Sequence, residues 1–239
     1  MEVFKTRRHR IRGGFLFPFS MSFLTAFILI GCEKTEDLTE PSTDKTCPDV
    51  PTVSYDGKTY TTVQIGTQCW LDGNIDAGIM ISGYKEQTDN DTLEKYCYNN
   101  DPANCTIYGG LYQWNEAMRY TTSPGTGGIC PPGWHIPTFK EYQTLSVNVS
   151  GCACALKAVG QGTRDGIGTN ASGFQALLAG FRDDKGFFAQ AGSFGFFWSS
   201  TEYDFAYTRY MELDSPTSVI SLFYSFNKRY GFSVRCLRD

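Results

Sequence analysis

The sequence predicts an α+β domain of antiparallel sheets with two short helices and long loops cross-linked by disulfides. Three observations predict it. Of the 239 residues, 41% are apolar and 15% aromatic, which is enough for a substantial core. Helical patterns occur only mid-chain, whereas the last third is all strand and turn. Nine cysteines are more than a reducing compartment favours, so they indicate an extracytoplasmic protein.

The first 31 residues differ in composition from the rest and predict a lipoprotein signal peptide. Five basic residues precede an apolar run from Phe15 to Ile30. That run of about 16 residues is short for the roughly 20 that a membrane span needs. Residues 29–32 read Leu-Ile-Gly-Cys, which resembles the bacterial lipobox. The resemblance implies cleavage after Gly31 and lipidation of Cys32, with a plain transmembrane anchor as the alternative.

Removal of residues 1–31 would leave 16 basic and 24 acidic groups, which changes the net charge from −4 to −8. The acidic, proline-containing stretch 32–46 predicts a solvated tether. It also resembles the surface-export signal of lipoproteins in the Bacteroidetes group. We therefore expect an outer-membrane lipoprotein exposed at the cell surface. No nucleic-acid partner is expected, because the composition offers no basic face.

Residues 53–65 predict a β-hairpin at the start of the domain. β-branched and aromatic residues flank Asp56 and Gly57. An Asp-Gly pair supplies the positive φ angles that a tight type I′ turn requires.

Two helices are predicted in the middle of the chain. The first is short and covers 111–118, where apolar residues recur at helical spacing. The second begins with a capping box, Thr138 followed by Glu141, and its apolar stripe continues through Tyr142 and Leu145.

The remainder predicts a meander. In its last strand, alternation would place Phe232, Val234 and Cys236 on one face. No change of composition after residue 47 marks a further boundary, so 47–239 is interpreted as a single domain. The predicted strands are 174–181, 187–188, 206–213, 218–226 and 231–237.

The cysteines that remain after Cys32 number eight, and an even count in an oxidising compartment predicts disulfides. Eight cysteines allow 105 connectivities, so the pairing stays open. No Cys-x2-Cys pair occurs, and the mature chain would hold a single histidine, which disfavours zinc. The favoured pairs are Cys97 with Cys105, Cys152 with Cys154, Cys47 with Cys69, and Cys130 with Cys236.

Five sequence blocks stand out, at 60–70, 108–114, 130–138, 197–203 and 231–236. Together they resemble the Fibrobacter succinogenes major paralogous domain. They occur in the order typical of that family and extend over roughly residues 47–239. One departure is small: Leu-Asp-Gly-Asn follows Trp70 where the family more often has a Met/Ala-Glu-Asn run.

The resemblance implies a secreted or lipid-anchored bacterial domain without a settled activity. The Gly-Trp-His-Ile-Pro-Thr block, the later Trp-Ser-Ser block and the final cysteine also look like the C-type-lectin-like fold, which formylglycine-generating enzymes share. The paired cysteines that carry copper in those enzymes are absent here, and so are the calcium signatures of EF-hands and sugar-binding lectins. No metal or cofactor is therefore expected.

His135 is the one candidate catalytic residue, since a hydrolase on this fold would use it as a base. Its place between Trp134 and Ile136 favours a structural role instead, so no catalytic residue is predicted. Aromatic residues crowd the last third of the chain. Tyrosine suits exposed binding faces because it joins an apolar ring to a polar tip. The predicted ligand-binding residues are Trp198, Tyr203, Tyr207, Tyr210 and Tyr224.

The function expected from the sequence is a non-catalytic module, held at the membrane by its lipid, that binds a glycan or a cell-surface protein. An enzyme that uses His135 and a purely structural or adhesive subunit are the alternatives.

Overall fold

The computed structural model describes residues 45–239, apart from the side chain of Tyr224. The domain is α+β, as predicted, and rich in sheet. Its strands are β1 Thr52–Tyr55, β2 Lys58–Ile65, β3 Gln68–Leu71, β4 Ile79–Met80, β5 Glu94–Lys95, β6 Trp134–His135, β7 Ala179–Arg182, β8 Phe188–Ala191, β9 Phe194–Glu202, β10 Tyr207–Asp214, β11 Ile220–Asn227 and β12 Leu237–Arg238. Its α-helices are α1 Pro102–Tyr108, α2 Trp114–Ala117, α3 Phe139–Asn148 and α4 Ala153–Leu156.

Two five-stranded sheets organise the domain. One has the order β1-β2-β3-β12-β6, and the other has the order β11-β10-β9-β7-β8. A small parallel pair, β4 with β5, stands apart from both. In the second sheet β9 is central, and it pairs antiparallel with β10 and parallel with β7.

The predicted hairpin at the start of the domain is confirmed. β1 and β2 pair antiparallel, and Tyr55 lies opposite Lys58. Asp56 and Gly57 between them have φ angles of 45° and 76°. Both angles are positive, as a type I′ turn requires.

The helix at 139–148 also forms where the capping box predicts it. The Thr138 side chain accepts a hydrogen bond from the backbone of Glu141, and the Glu141 carboxylate accepts one from the Thr138 amide at 2.7 Å. The helix buries Tyr142 and Leu145 against the core. The helix predicted within 111–118 is shorter, a single turn at Trp114–Ala117.

Two helices lie where none was predicted. α1 begins between Cys97 and Cys105 and continues to Tyr108; the Asp101 carboxylate caps it, and Pro102 is its first residue. Both are favourable at a helix start. The other, α4, is a single turn after Cys152.

The predicted meander forms only in part: β9, β10 and β11 are antiparallel neighbours, but β9 pairs parallel with β7, and the last member is not the predicted strand. Only Leu237–Arg238 forms a ladder, and residues 231–236 bond to several different elements in turn. Phe232 pairs with Tyr112, whereas Ser233 bonds to β9. Ser233 and Arg235 are as fully buried as Phe232, Val234 and Cys236. The alternation therefore does not separate an inner from an outer face, because this segment is covered on all sides.

Four disulfides cross-link the domain, and they join the pairs that the sequence favours. Cys130 with Cys236 spans 106 residues, and Cys47 with Cys69 spans 22. The pairs Cys97–Cys105 and Cys152–Cys154 are local. The longest bridge ties the middle of the chain to the buried segment near its end, within one of two hydrophobic clusters.

Candidate functional site

An open cleft of about 540 Å³ lies beside the connection between β9 and β10. The turn after α2 forms one wall and the β9–β10 connection forms the other. Lys228, just after β11, completes it. Its lining residues are Asn115, Tyr120, Thr121, Thr122, Glu202, Tyr203, Asp204, Phe205 and Lys228.

The β9–β10 connection holds two aromatic rings in solvent. Phe205 is 93% exposed, and Tyr203 is 56% exposed. The backbone beneath them is fixed, because the Asp204 carboxylate accepts hydrogen bonds from the amides of Ala206 and Tyr207, each at 2.8 Å. The amide of Tyr203 also donates to the carbonyl of Tyr207 at 3.0 Å. The rings are therefore displayed on an ordered turn.

Lys228 joins this connection to the domain. Its ammonium group pairs with the Glu202 carboxylate and donates to the Phe205 carbonyl at 3.2 Å. It also lies 4.3 Å from the centroid of the buried Trp114 ring, a cation–π contact. The Lys228–Glu202 pair neutralises one positive and one negative charge of the cleft. Asp204 is the remaining acidic residue of its lining.

The opposite wall has a backbone conformation that side chains rarely adopt. Arg119 and Tyr120 have φ angles of 50° and 59° in succession. The Tyr120 hydroxyl donates to the Glu116 carboxylate at 2.7 Å. Burial raises the pKa of Tyr120 and of Glu116. Asn99 and Asn100, which do not line the cleft, have similar successive angles, so this conformation alone does not mark a functional site.

The cleft combines two kinds of group that ring-shaped polar ligands require. Exposed aromatic faces offer apolar stacking, and the amide of Asn115, the hydroxyls of Thr121 and Thr122, and the Asp204 carboxylate offer hydrogen-bond partners. A few polar groups that fix orientation beside apolar surface are typical of small-ligand sites.

The structure separates the predicted binding aromatics into different places. Tyr203 lines the cleft, and Tyr207 is exposed at the start of β10. The predictions for Trp198 and Tyr210 are corrected, because both side chains are buried. The Trp198 indole donates to the Tyr112 carbonyl at 2.7 Å. The side chain of Tyr224 lies outside the described part of the structure.

The most exposed ring of the cleft, Phe205, was not among the predicted site residues. A local signal exists, since Phe205 directly precedes a predicted strand and follows Asp204, a common turn residue. This signal does not by itself predict the exposure of Phe205, because the exposure depends on where β9 and β10 end.

His135 lies away from this cleft and is engaged on both sides. Its Nδ1 is 2.7 Å from Asp239, and its Nε2 is 3.1 Å from the Glu141 carboxylate that caps α3. Burial lowers the pKa of His135, but hydrogen bonds to the two carboxylates outweigh it, so the pKa is raised. An imidazole held between carboxylates is not placed to take a proton from a hydroxyl nucleophile.

A second cleft, also about 540 Å³, borders this histidine cluster. Polar residues such as Gln64, Thr67 and Arg238 line it, and no aromatic ring does. The first cleft is therefore the better candidate for a ring-shaped ligand.

Cys32, the predicted lipidation site, lies outside the described residues. Over 45–239, no helix has the length and apolar character to cross a bilayer. The same range holds no cluster of three or more metal-ligating side chains.

The family model described as the Fibrobacter succinogenes major domain matches residues 63–238. No curated protein and no solved structure matches the chain.

Proposed function

The chain belongs to the Fibrobacter succinogenes major domain family, and we propose that it is a non-catalytic module that binds glycans at the cell surface. The cleft between the turn after α2 and the β9–β10 connection would be the binding site. Under this proposal the domain has the C-type-lectin-like arrangement, and its ligand is recognised without a metal.

The observation that carries the proposal is the display of Phe205 and Tyr203 on a rigid turn. A soluble domain gains nothing in stability from a phenylalanine that is 93% exposed. Burial of that ring against the apolar face of a sugar would remove it from water. The adjacent hydroxyl, amide and carboxylate groups would bind the sugar hydroxyls.

The proposal includes a lipid anchor at Cys32, with residues 32–46 as the tether between membrane and domain. The lipobox-like sequence and the acidic composition after it support this part. A Cys32→Ser variant should lose incorporation of labelled fatty acid and separate from the membrane fraction. Retention of both properties by the variant would contradict lipidation at this residue.

The rival enzyme proposal has less support. His135 would have to be free to act as a base, whereas Glu141 and Asp239 occupy its two ring nitrogens. Glycan binding that persists in a His135→Gln variant would separate the binding module from a hydrolase.

The binding proposal is tested with a glycan array, followed by titration calorimetry on the glycans that bind. Loss of one stacking ring should cost about 1.4 kcal/mol, so Phe205→Ala should weaken binding about tenfold. Tyr203→Ala should also weaken it, whereas Tyr203→Phe should retain most of the affinity.

Phe187→Ala is the matched control, because that phenylalanine is also exposed but does not line the cleft. Binding that is equally weakened by Phe187→Ala would place the site elsewhere. If no glycan binds and the domain instead captures a surface protein in a way that depends on Phe205, a protein partner is favoured. Absence of both kinds of binding would favour the structural subunit.

A further inference from the structure

The four disulfides differ in how far water can reach them. Six of the paired cysteines are buried, among them Cys97 and Cys105 of the other local bridge. Cys152 and Cys154 are both partly exposed. Thiol–disulfide exchange requires a thiolate to reach a sulfur, so access alone makes this pair the most susceptible of the four.

The Cys152–Cys154 bridge also constrains the chain least. Its sequence separation is 2, with only Ala153 enclosed, whereas the separations of the others are 8, 22 and 106. In the chain-entropy model, the stabilisation from a disulfide increases with the length of the loop it closes. Opening this bridge therefore removes the smallest restriction on the unfolded chain.

Hydrogen bonds hold the backbone around the bridge independently of the sulfurs. The Ala153 amide donates to the Ser218 carbonyl at 2.7 Å, and the Cys154 carbonyl accepts from the Thr169 amide at 2.8 Å. Ala153 and Leu156 are fully buried. The local structure should therefore persist when the bridge opens, and the two thiols should stay close enough to pair again.

We propose that Cys152–Cys154 is a redox-exchange site whose substrate is an extracytoplasmic dithiol. A thiolate of the dithiol attacks one sulfur of the bridge, the Cys152–Cys154 bond breaks, and a mixed disulfide forms. The released cysteine thiolate takes up a proton. The second thiol of the dithiol, as its thiolate, then attacks the mixed disulfide, so the protein gains two thiols and the dithiol becomes a disulfide.

The test uses the native protein and graded dithiothreitol, followed by alkylation and peptide mapping by mass spectrometry. Cys152 and Cys154 should be alkylated at a reductant concentration at least ~10-fold below that required for Cys97 and Cys105. Near-ultraviolet circular dichroism should be unchanged at that concentration. Opening of Cys97–Cys105 at an equal or lower concentration would overturn the proposal, as would unfolding that accompanies reduction of Cys152–Cys154.

A second measurement tests exchange directly. In a Cys154→Ser variant, the remaining Cys152 thiol should form a mixed disulfide with oxidised glutathione while the protein is folded. The matched variant is Cys105→Ser, whose Cys97 lies at a buried position and should react more slowly by ~10-fold or more. Equal rates for the two variants would refute the special access of the Cys152–Cys154 pair.

Discussion

Replacement of His135 by glutamine should lower the stability of the domain in a pH-dependent way. The imidazole side chain is 11% exposed, while its partners Glu141 and Asp239 are 31% and 61% exposed. A hydrogen bond to a charged group contributes about 1.5–3 kcal/mol when buried, but an exposed ion pair contributes about 0–1 kcal/mol. The Asp239 contact belongs to the exposed class and the Glu141 contact lies between the two. We expect a total loss of about 2 kcal/mol.

The sign of the pH dependence follows from the two shifted groups. The pKa of His135 is raised above 6.5, so its stabilisation is complete below that pH and is lost as the pH rises through the folded-state pKa. Burial raises the pKa of Glu141, but hydrogen bonds to His135 and Thr138 outweigh it and lower the pKa below 4.5. The stabilisation from Glu141 is therefore present above pH 4.5 and lost as the pH falls through the folded-state pKa. The cost of His135→Gln should be largest between about pH 4.5 and 6.5.

Urea unfolding of both proteins, followed by tryptophan fluorescence from pH 4 to 9, measures this cost. Lys140→Gln is the control, since it removes an exposed charge from the same helix without touching the cluster. A cost for His135→Gln that is constant from pH 5 to 9 would refute the ion-pair reasoning. A variant as stable as the parent protein at pH 5.5 would do the same.

Three further predictions concern stability. Loss of the long bridge in a Cys130→Ala/Cys236→Ala variant should cost about 4.7 kcal/mol, measured by urea unfolding; a cost below 1 kcal/mol would contradict the loop argument. Arg235→Lys should lower the free energy of unfolding by about 3 kcal/mol. The buried guanidinium donates to several carbonyl and amide oxygens, and a single ammonium group cannot reach all of them. A thermal midpoint unchanged from that of the parent protein would contradict this prediction. Gly57→Ala should lower the free energy of unfolding by about 1 kcal/mol because φ at this position is +76°, although nothing lies within 4 Å of an added Cβ. Gly57→Asn should lower it less. Thermal denaturation that ranks the two variants in the opposite order would argue against backbone strain.

Features coded by neighbouring residues could be predicted from the sequence. The Asp56-Gly57 turn and the Thr138–Glu141 capping box depend on contacts within four residues, and both form as expected. The α1 helix is also coded locally, by the Asp101 cap and Pro102, but it has only seven residues, and asparagines, which favour turns, lie at 99, 100 and 104.

Features decided by the rest of the fold could not be predicted. β9 is central in its sheet, and residues 195–200 are all buried, so alternation cannot sort Trp198 from its neighbours. Alternation also cannot separate Arg235 from its neighbours, because residues 231–237 are all buried. At the candidate site, the exposure of Phe205 and Tyr203 depends on how β9 and β10 end, and strand boundaries are the least certain part of a sequence pattern.

The segment 231–238, which is buried from 231 to 237, has a consequence for how the domain folds. It bonds to β7 and β9 of one sheet and to β3 and β6 of the other, so neither sheet has its full set of partners without it. Contacts between residues this far apart in the chain slow folding, because the entropy of closing long loops is lost before these contacts can stabilise the chain. Both sheets therefore require the C-terminal segment of the domain before their hydrogen bonding is complete. We expect a single cooperative folding step that requires residues 231–238, with no stable half-domain formed in their absence.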